Sequence, residues 1–153
     1  MSSIRHGPLT LPLPTGWFDA SQVVAMGPLE GTFRTSLVVS LDPVEPEETA
    51  EELAARMLPQ VSKMGPAFTL VAQKAATFGD KAGWLREHTF TVEGVRIAQL
   101  QFYVVRDGAG YTFTYTQRAD RLKKTRDVAE QFFASAQVGG AKAEPSRPSG
   151  IRG

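Results

Sequence analysis

The stretch that decides the fold is residues 82–105, AGWLREHTFTVEGVRIAQLQFYVV, in which two apolar runs flank Glu93-Gly94. A two-residue connection that ends in glycine fits a tight hairpin turn, and such a turn forces its flanking strands to lie antiparallel. Residues 82–92 and 95–105 are therefore predicted to be neighbouring strands of an antiparallel sheet.

Turn and strand signals extend this hairpin in both directions. Downstream, residues 107–110 (DGAG) predict a tight connection to residues 111–116 (YTFTYT), whose aromatic side chains and threonines alternate between two faces. Upstream, Gly79-Asp80 predicts a turn after a weak strand at 69–77. Three more strands are expected earlier, at 9–14, 22–26 and 35–41.

Two segments have helical signals. Residues 49–52 (TAEE) have the spacing of a capping box and open a helix that Gly65-Pro66 ends. A second helix is expected to begin at Asp120 as its N-cap and to end at Gly139-Gly140. Its predicted buried stripe consists of Leu122, Thr125, Val128, Ala129, Phe132 and Ala136. Strands in runs with only two helices predict an α+β fold.

Composition excludes several classes of protein. The chain has 153 residues, which suits one domain, and no cysteine, which rules out disulfides, thiolate metal sites and cysteine nucleophiles. The net charge of +1 lacks the basic surplus of a nucleic-acid binder. The N-terminus predicts no signal peptide, and no apolar run is long enough to span a bilayer. We expect residues 1–138 to form the domain and residues 139–153 to be a disordered tail.

Residues that could support catalysis or metal binding do not converge. His6 and His88 lie on different segments, and Glu87 should point away from His88 because adjacent strand residues face opposite ways. The acidic run at 45–52 lacks the ligand spacing of a calcium loop, and the basic run at 118–126 is typical of a solvated surface. The sequence therefore predicts no enzyme, no metal site and no cofactor.

The predicted strand 95–105 carries apolar residues or uncharged amides on both faces. One face has Ala98, Leu100 and Phe102, and the other has Gln99, Gln101 and Tyr103. We expect one face to pack on the helices, and the other could be a concave, half-apolar surface for a partner. A simpler alternative is that both faces are covered within the chain or by a second copy.

Several segments together resemble the DUF1795 group, which has a PsbP/Mog1-like fold. The resemblance covers roughly residues 9–138, and the order and spacing of the segments carry it. The segments are residues 11–19 (LPLPTGWFD), 36–42 (SLVVSLD), 55–58 (ARML), 65–70 (GPAFTL), 82–85 (AGWL) and 99–102 (QLQF). Within the group, the chain is most similar to the Eag chaperones of bacterial type VI secretion. The implied fold is a strongly curved antiparallel sheet with two main helices.

The resemblance implies a cytoplasmic homodimer that is not inserted in the membrane. Eag chaperones hold the N-terminal transmembrane helices of a secreted effector and help to load it on the VgrG spike. The DcrB-like lipoproteins of the periplasm share this fold, but the chain has no cysteine to carry a lipid. A different class of function stays open, namely a non-catalytic domain that binds a small molecule or acts as a sensor.

The resemblance also implies the groove residues. Apolar residues of the second strand and a sheet glutamine line the family's groove, and these positions fall at Val24, with Val23 beside it, and at Gln101. A family glutamine on the first helix falls at Met57, which removes a hydrogen bond but suits an adaptable apolar groove. Gln99 and Tyr103 flank Gln101 on the same predicted face and complete the candidate partner-binding set.

Overall fold

A computed structural model describes residues 2–138 of the chain, and its centre is a six-stranded antiparallel sheet with the strand order β3-β4-β8-β7-β6-β5. The α+β architecture predicted from the sequence, with two helices, is confirmed. The strands of this sheet are β3 (Gln22–Glu30), β4 (Phe33–Pro43), β5 (Thr69–Phe78), β6 (Lys81–Val92), β7 (Val95–Arg106) and β8 (Ala109–Arg118).

The predicted central hairpin is present. Strands β6 and β7 pair from Val92 opposite Val95 to Trp84 opposite Tyr103. Glu93 and Gly94 take φ angles of 49° and 81°, the left-handed conformation that a two-residue turn of this type requires at both positions. Strand β7 therefore lies inside the sheet, with β6 on one side and β8 on the other.

The N-terminal segment forms a separate two-stranded hairpin. Strand β1 (Ser3–His6) pairs with β2 (Leu9–Pro12), and neither strand joins the main sheet. The strand predicted at 9–14 therefore exists in shorter form. It is not an edge of the main sheet, because its partner is β1, a strand that the sequence analysis did not predict.

Strand β3 is longer than predicted and forms one edge of the main sheet. It continues through Gly27 and Pro28 to Glu30, and its pairing with β4 shifts between Met26 and Leu29. The expected end at Gly27-Pro28 is thus a bulge inside the strand, where a proline is tolerated because it needs no ladder hydrogen bond.

The two helices cover opposite faces of the sheet. Helix α1 (Ala50–Val61) packs through Leu53 and Ala54 on Tyr103, whereas Phe133 of helix α2 (Leu122–Ser135) packs on Phe102. Tyr103 and Phe102 are adjacent in β7 and therefore point to opposite sides. The expectation that both helices share one face was wrong, because each face of β7 carries enough apolar area to hold a helix.

Helix α1 begins as the sequence predicts. The Thr49 hydroxyl accepts a hydrogen bond from the Glu52 backbone N–H at 3.1 Å, and a Glu52 carboxylate oxygen accepts one from the Thr49 N–H at 2.9 Å. This is a complete capping box, which satisfies two backbone donors that the helix itself leaves unpaired.

Helix α2 departs from its prediction at its start and in its buried stripe. A short 3-10 turn, Ala119–Arg121, precedes it, and Asp120 lies inside that turn and pairs with Arg118 instead of capping the helix. The buried residues are Leu122, Ala129 and Phe133, whereas Val128 and Phe132 are partly exposed. The helix is therefore rotated toward Phe133 relative to the predicted stripe. Helix α2 ends at Ser135, before the predicted end at Gly139-Gly140, because the backbone of Ala136 is already extended. Gly139-Gly140 and the tail predicted at 139–153 lie outside the described residues.

Candidate partner-binding groove

A groove lies on the α1 face of the sheet, between helix α1 and the edge strand β3. Its volume is about 570 Å3. We call it the α1 groove and define it by the residues that line it: Phe18, Ala20, Gln22, Val38, Ser40, Leu41, Asp42, Pro43, Met57, Gln60, Val61, Met64, Gln99, Gln101, Tyr103, Thr112, Thr114 and Thr116.

The floor of the α1 groove is polar and comes from three neighbouring strands. Directly paired residues share a face of the sheet, so the register fixes which side chains meet there. One row crosses the sheet as Val38, Thr114 and Gln101, and on either side of it lie rows that contain Thr112 and Thr116. The threonine face that the sequence shows in residues 111–116 is this floor.

The walls of the α1 groove are largely apolar. Met57 and Val61 of α1 and Met64 just after it form one wall, and Phe18 contributes apolar surface from the loop before β3. Phe18, Leu41 and Met64 are also among the large apolar residues that remain exposed. The groove therefore combines apolar sides with hydrogen-bonding groups along its base.

A second depression continues the α1 groove toward the tip of the β6–β7 hairpin. It has a volume of about 960 Å3 and shares Thr116 with the α1 groove. Phe90, Val95 and Ile97 contribute apolar surface there, and Arg118 and Asp120 contribute charge. The two depressions together form a trough along one face of the sheet.

Strand β3 leaves apolar side chains beside the trough. Val24 lies opposite Val38 and so points to the groove side, where it is 54% exposed. Met26 lies opposite Ser36 on the same side and is 58% exposed. Among residues 2–138, β3 pairs with β4 only, so its outer edge is open to a partner.

A buried arginine lies beneath the groove floor. Arg86 of β6 is 0% exposed, and its Nη1 donates to the Ala54 carbonyl oxygen at 2.7 Å. Its Nη2 donates to Gln101 Oε1 at 3.2 Å and to the Tyr103 hydroxyl. The guanidinium carbon also lies 4.9 Å from the centre of the Tyr103 ring. Burial lowers the pKa of Arg86, although the Tyr103 hydroxyl partly opposes this shift.

Tyr103 completes this polar network. Burial raises the pKa of its hydroxyl to about 12, so the group is protonated at neutral pH. It accepts the hydrogen bond from Arg86 and donates its own proton to Gln101 Oε1 at 2.8 Å. Tyr103 therefore acts as a fixed link between the arginine and the glutamine.

His88 is buried next to this network and is not a surface residue. Its Nε2 lies 2.7 Å from Gln99 Oε1, and Nδ1 has no hydrogen-bond partner among the described residues. Because an amide oxygen only accepts, Nε2 carries the proton. Burial lowers the pKa of the His88 imidazole, with the Gln99 hydrogen bond as a smaller opposing effect. The ring is therefore neutral near pH 7.

The structure brings together five of the six residues predicted to bind a partner. Met57, Gln99, Gln101 and Tyr103 line the α1 groove, and Val24 lies beside it on the same face. Val23 does not share that surface: it pairs with Val39, which packs against the core on the α2 side. Adjacent strand residues alternate in direction, so Val23 and Val24 cannot serve one site.

Sequence reasoning missed Arg86, the three floor threonines as a binding surface, and the wall residues Phe18 and Met64. Arg86 could have been found from the Glu93-Gly94 turn, because that turn fixes the register and places Arg86 opposite Gln101. Phe18 lies in a loop, for which the sequence has no periodic signal.

The charged runs are engaged in local contacts, as expected for a solvated surface. Glu48 accepts two hydrogen bonds from Arg56, which lowers the pKa of the Glu48 carboxyl, and Glu52 belongs to the capping box. In the basic run, Arg121 pairs with Glu30 and Arg126 with Glu87. Within residues 2–138 no group of three or more His, Asp or Glu side chains could hold a metal ion.

The strand order and the two helices define an α+β domain of the PsbP-like type, with a groove on its α1 face. The chain belongs to the DcrB family, whose profile matches residues 9–135. The absence of a lipid-bearing cysteine was expected to disfavour a relationship to the DcrB-like lipoproteins. The match shows that membership of the family does not depend on that cysteine. The narrower resemblance to Eag chaperones stays a prediction.

Two solved structures resemble this chain in fold. PA94 of Pseudomonas aeruginosa, a protein of unknown function whose description suggests a regulator, is 22% identical, with 90% of this chain and 96% of PA94 covered and a TM-score of 0.70. The cyanobacterial PsbP protein of Synechocystis is 14% identical, with 84% and 97% covered and a TM-score of 0.50. No curated protein matches the chain. None of the helices in residues 2–138 has the length and apolar character needed to cross a membrane.

Proposed function

We propose that this domain is a non-catalytic chaperone or adaptor that shelters the N-terminal transmembrane helices of a type VI secretion effector. The single observation that carries the proposal is the trough on the α1 face, with apolar walls, a hydrogen-bonding floor and exposed Val24 and Met26 at its rim. The domain would act in the cytoplasm and help to deliver the effector to the VgrG spike, as the resemblance to Eag chaperones implies.

The hydrophobic effect supplies the driving force. A transmembrane helix in water exposes a long apolar surface, and removal of about 400 Å2 of it from water contributes about 10 kcal/mol before the costs of ordering. Met57 and Met64 suit the wall of such a groove, because methionine adapts to helices of different shape. A polar floor is also compatible with this ligand, since small-residue faces of membrane helices carry groups that form hydrogen bonds.

The resemblance to Eag chaperones also implies a homodimer. A helix that spans a bilayer has more than five turns, so a second copy would add apolar surface along the length of the bound helix.

The alternative class, a small-molecule carrier or sensor, would require an enclosed pocket. The α1 groove is instead continuous with the second depression and is bordered by the exposed edge strand β3. Arg86 and Tyr103 hydrogen-bond to each other and to Gln101, whereas His88 bonds to Gln99, so these titratable groups do not converge on one empty pocket. Both features favour a partner chain over a small ligand or a substrate.

A pair of matched variants at the edge strand tests the proposed function. Val24→Asp places a charge on the groove side of β3, whereas Val23→Asp places the same charge on the other face at a similarly exposed position. We expect Val24→Asp to weaken binding of an effector's N-terminal segment at least tenfold, because a carboxylate loses hydration against an apolar helix. We expect Val23→Asp to bind like the unmodified protein.

The measurement is copurification from detergent-free lysate with a neighbouring effector that carries N-terminal transmembrane segments, followed by titration of the isolated segment. Failure of the unmodified protein to retain such a segment would contradict the function. Retention with equal affinity in both variants would exclude the α1 groove as the place of binding while leaving a chaperone function open.

A further inference from the structure

Arg86 is a buried cation without a counter-ion. Its side chain is 0% exposed, and among residues 2–138 it takes part in no ion pair. Its partners are three neutral oxygens, on Ala54, Gln101 and Tyr103. A guanidinium group can only donate hydrogen bonds, and it keeps its charge at any pH at which the protein is folded.

This cation fixes the direction of the Gln101 amide. Gln101 Oε1 accepts from both Arg86 and Tyr103, so the amide nitrogen must point the other way. There Nε2 donates to Thr114 Oγ1 at 3.2 Å. The Thr114 hydroxyl thus accepts a hydrogen bond from within the sheet and keeps its own proton for another acceptor.

A parallel chain runs through the adjacent row. His88 Nε2 donates to Gln99 Oε1 at 2.7 Å, and Gln99 Nε2 donates to Thr116 Oγ1 at 3.0 Å. In the described residues neither Thr114 nor Thr116 donates its hydroxyl proton to the protein. Thr112 differs, because its hydroxyl donates to Asp42 Oδ2 at 2.7 Å. The middle of the groove floor therefore presents two hydroxyl donors, each at the end of a hydrogen-bonded row that begins at a buried basic side chain.

We propose that Arg86 is a positioning residue that makes the floor of the α1 groove a hydrogen-bond donor surface, so that the groove selects apolar helices carrying oxygen acceptors on the buried face. Such acceptors are backbone carbonyls exposed between small residues and the side-chain oxygens of Ser, Thr and Asn. The inference rests on the proposed function and specifies the chemistry of its ligand.

The decisive variant is Gln101→Glu. A carboxylate at this position accepts from Arg86, Tyr103 and the Thr114 hydroxyl, which must then turn its proton away from the groove. The floor becomes an acceptor surface, while the shape of residue 101 is almost unchanged. Gln131→Glu is the matched control: it adds the same charge at an exposed residue of helix α2, outside the α1 groove, and leaves the Thr114 hydroxyl as it is.

The probe is a synthetic 20-residue Leu/Ala helix with a polyethylene-glycol tag that carries one methionine or its sulfoxide. A sulfoxide oxygen is neutral and can only accept, so it reports polarity without a change in charge. The methionine is placed in turn at four consecutive central positions, so that one peptide directs it to the floor. The measured quantity is the ratio of the Kd for the sulfoxide to the Kd for the methionine form.

We expect the unmodified protein and Gln131→Glu to share a ratio near or below one at the floor-facing position. We expect Gln101→Glu to raise the ratio about tenfold, because a buried acceptor that meets another acceptor loses its hydration without compensation. Thr114→Val removes the hydroxyl donor and leaves Arg86 unchanged. It should also raise the ratio of the two Kd values. Arg86→Met should abolish the preference, since the Gln101 amide can then turn over.

An equal ratio in the unmodified protein, Gln101→Glu and Thr114→Val would overturn the inference. If Gln101→Glu fails to fold, Thr114→Val alone decides, because valine keeps the shape of threonine. Failure of the proposed function is a separate result: neither form of the helix would then bind the unmodified protein at any of the four positions.

Discussion

At the scale of single residues, the protein keeps a buried charge through hydrogen bonds and not through an ion pair. Arg86 is held by the Ala54 carbonyl, the Gln101 amide and the Tyr103 hydroxyl, and thereby connects α1 to two strands of the sheet. Loss of any one partner would leave a buried donor or acceptor unpaired, at a cost of about 1–3 kcal/mol. The network is therefore a structural support of the groove as well as part of its floor.

His88 predicts a pH dependence of stability. Its pKa is lowered in the folded protein from an ordinary value of 6.5, so the unfolded chain takes up a proton first as the pH falls. The neutral ring's contribution to the free energy of unfolding is complete above pH 6.5 and is lost progressively as the pH falls toward the lowered folded pKa. We expect denaturant unfolding to show this loss as the pH falls below about 6.5.

The test compares two histidine variants. In His88→Gln, an amide nitrogen can still donate to Gln99 but cannot titrate, so the decline in stability over this interval should become shallower. His6→Gln changes an exposed residue of the N-terminal hairpin and should leave the pH profile as it is. An unchanged profile in His88→Gln would mean that another group controls acid stability.

The sequence predicts site residues only where the alternation of side chains along a strand assigns them to one face of the sheet. Gln99, Gln101 and Tyr103 were placed on one face correctly, because a strand of period two separates them from Leu100 and Phe102. Arg86 was not singled out, because a charged residue in a strand is predicted to be exposed. Its burial can be inferred only when the residue opposite it in the hairpin is known. Burial at such a position depends on α1, which lies far away in the sequence.

At the scale of elements, the sequence predicts that the helices exist but not which way they face. Capping at Thr49 and Glu52 marks the start of α1 unambiguously. In α2, Phe132 and Phe133 are adjacent, so the apolar pattern permits two rotations of the helix. Packing decides between them: the Phe133 ring contacts Phe78, Phe102 and Phe113, with ring centroids 5.4 to 6.0 Å apart.

Lys81 anchors the C-terminal end of α2 to the sheet. It is 0% exposed, and its Nζ donates to the carbonyl oxygens of Ala134 and Ala136 at 3.0 and 2.6 Å. These carbonyls belong to the set that a helix end cannot satisfy internally. We expect Lys81→Met to lower the free energy of unfolding by about 2–3 kcal/mol in denaturant titration, because the carbonyls lose a charged donor.

The control for this prediction is Lys74→Met on strand β5, which removes an exposed lysine from a neighbouring strand. That change should alter the free energy of unfolding by less than about 0.5 kcal/mol. If both variants lose equal stability, general surface effects account for the result and Lys81 is not an anchor of α2.

At the scale of the whole molecule, the binding surface is a product of strand order, which local sequence does not determine. Strand β4 pairs with β8, which lies some seventy residues later in the chain, as the hydrogen bond between Asp42 and Thr112 illustrates. The hairpins β6–β7 and β7–β8 could be predicted from their turns. The position of β3 at the edge, and hence the exposure of Val24, depends on long-range pairing that no turn encodes.

An open edge strand with a chain of apolar side chains is a place where a second copy can bind. Val24 and Met26 are exposed on one face of β3 and Val23 and Leu29 are exposed elsewhere on it, and unprotected edges of this kind promote association. Together with the homodimer that the resemblance to Eag chaperones implies, this predicts that two domains act on one effector segment. Light scattering after size-exclusion chromatography should give twice the chain mass of 16.6 kDa.

Val23→Lys combined with Ala25→Lys tests where this association occurs. Both residues lie opposite β4 residues on the α2 side of the sheet, and charges on an edge strand oppose edge-to-edge pairing without altering the groove floor. We expect the double variant to elute with the mass of one chain, because two like charges on each copy repel when the edges approach. A dimeric double variant would place the contact away from β3, and a monomeric unmodified protein would contradict the homodimer.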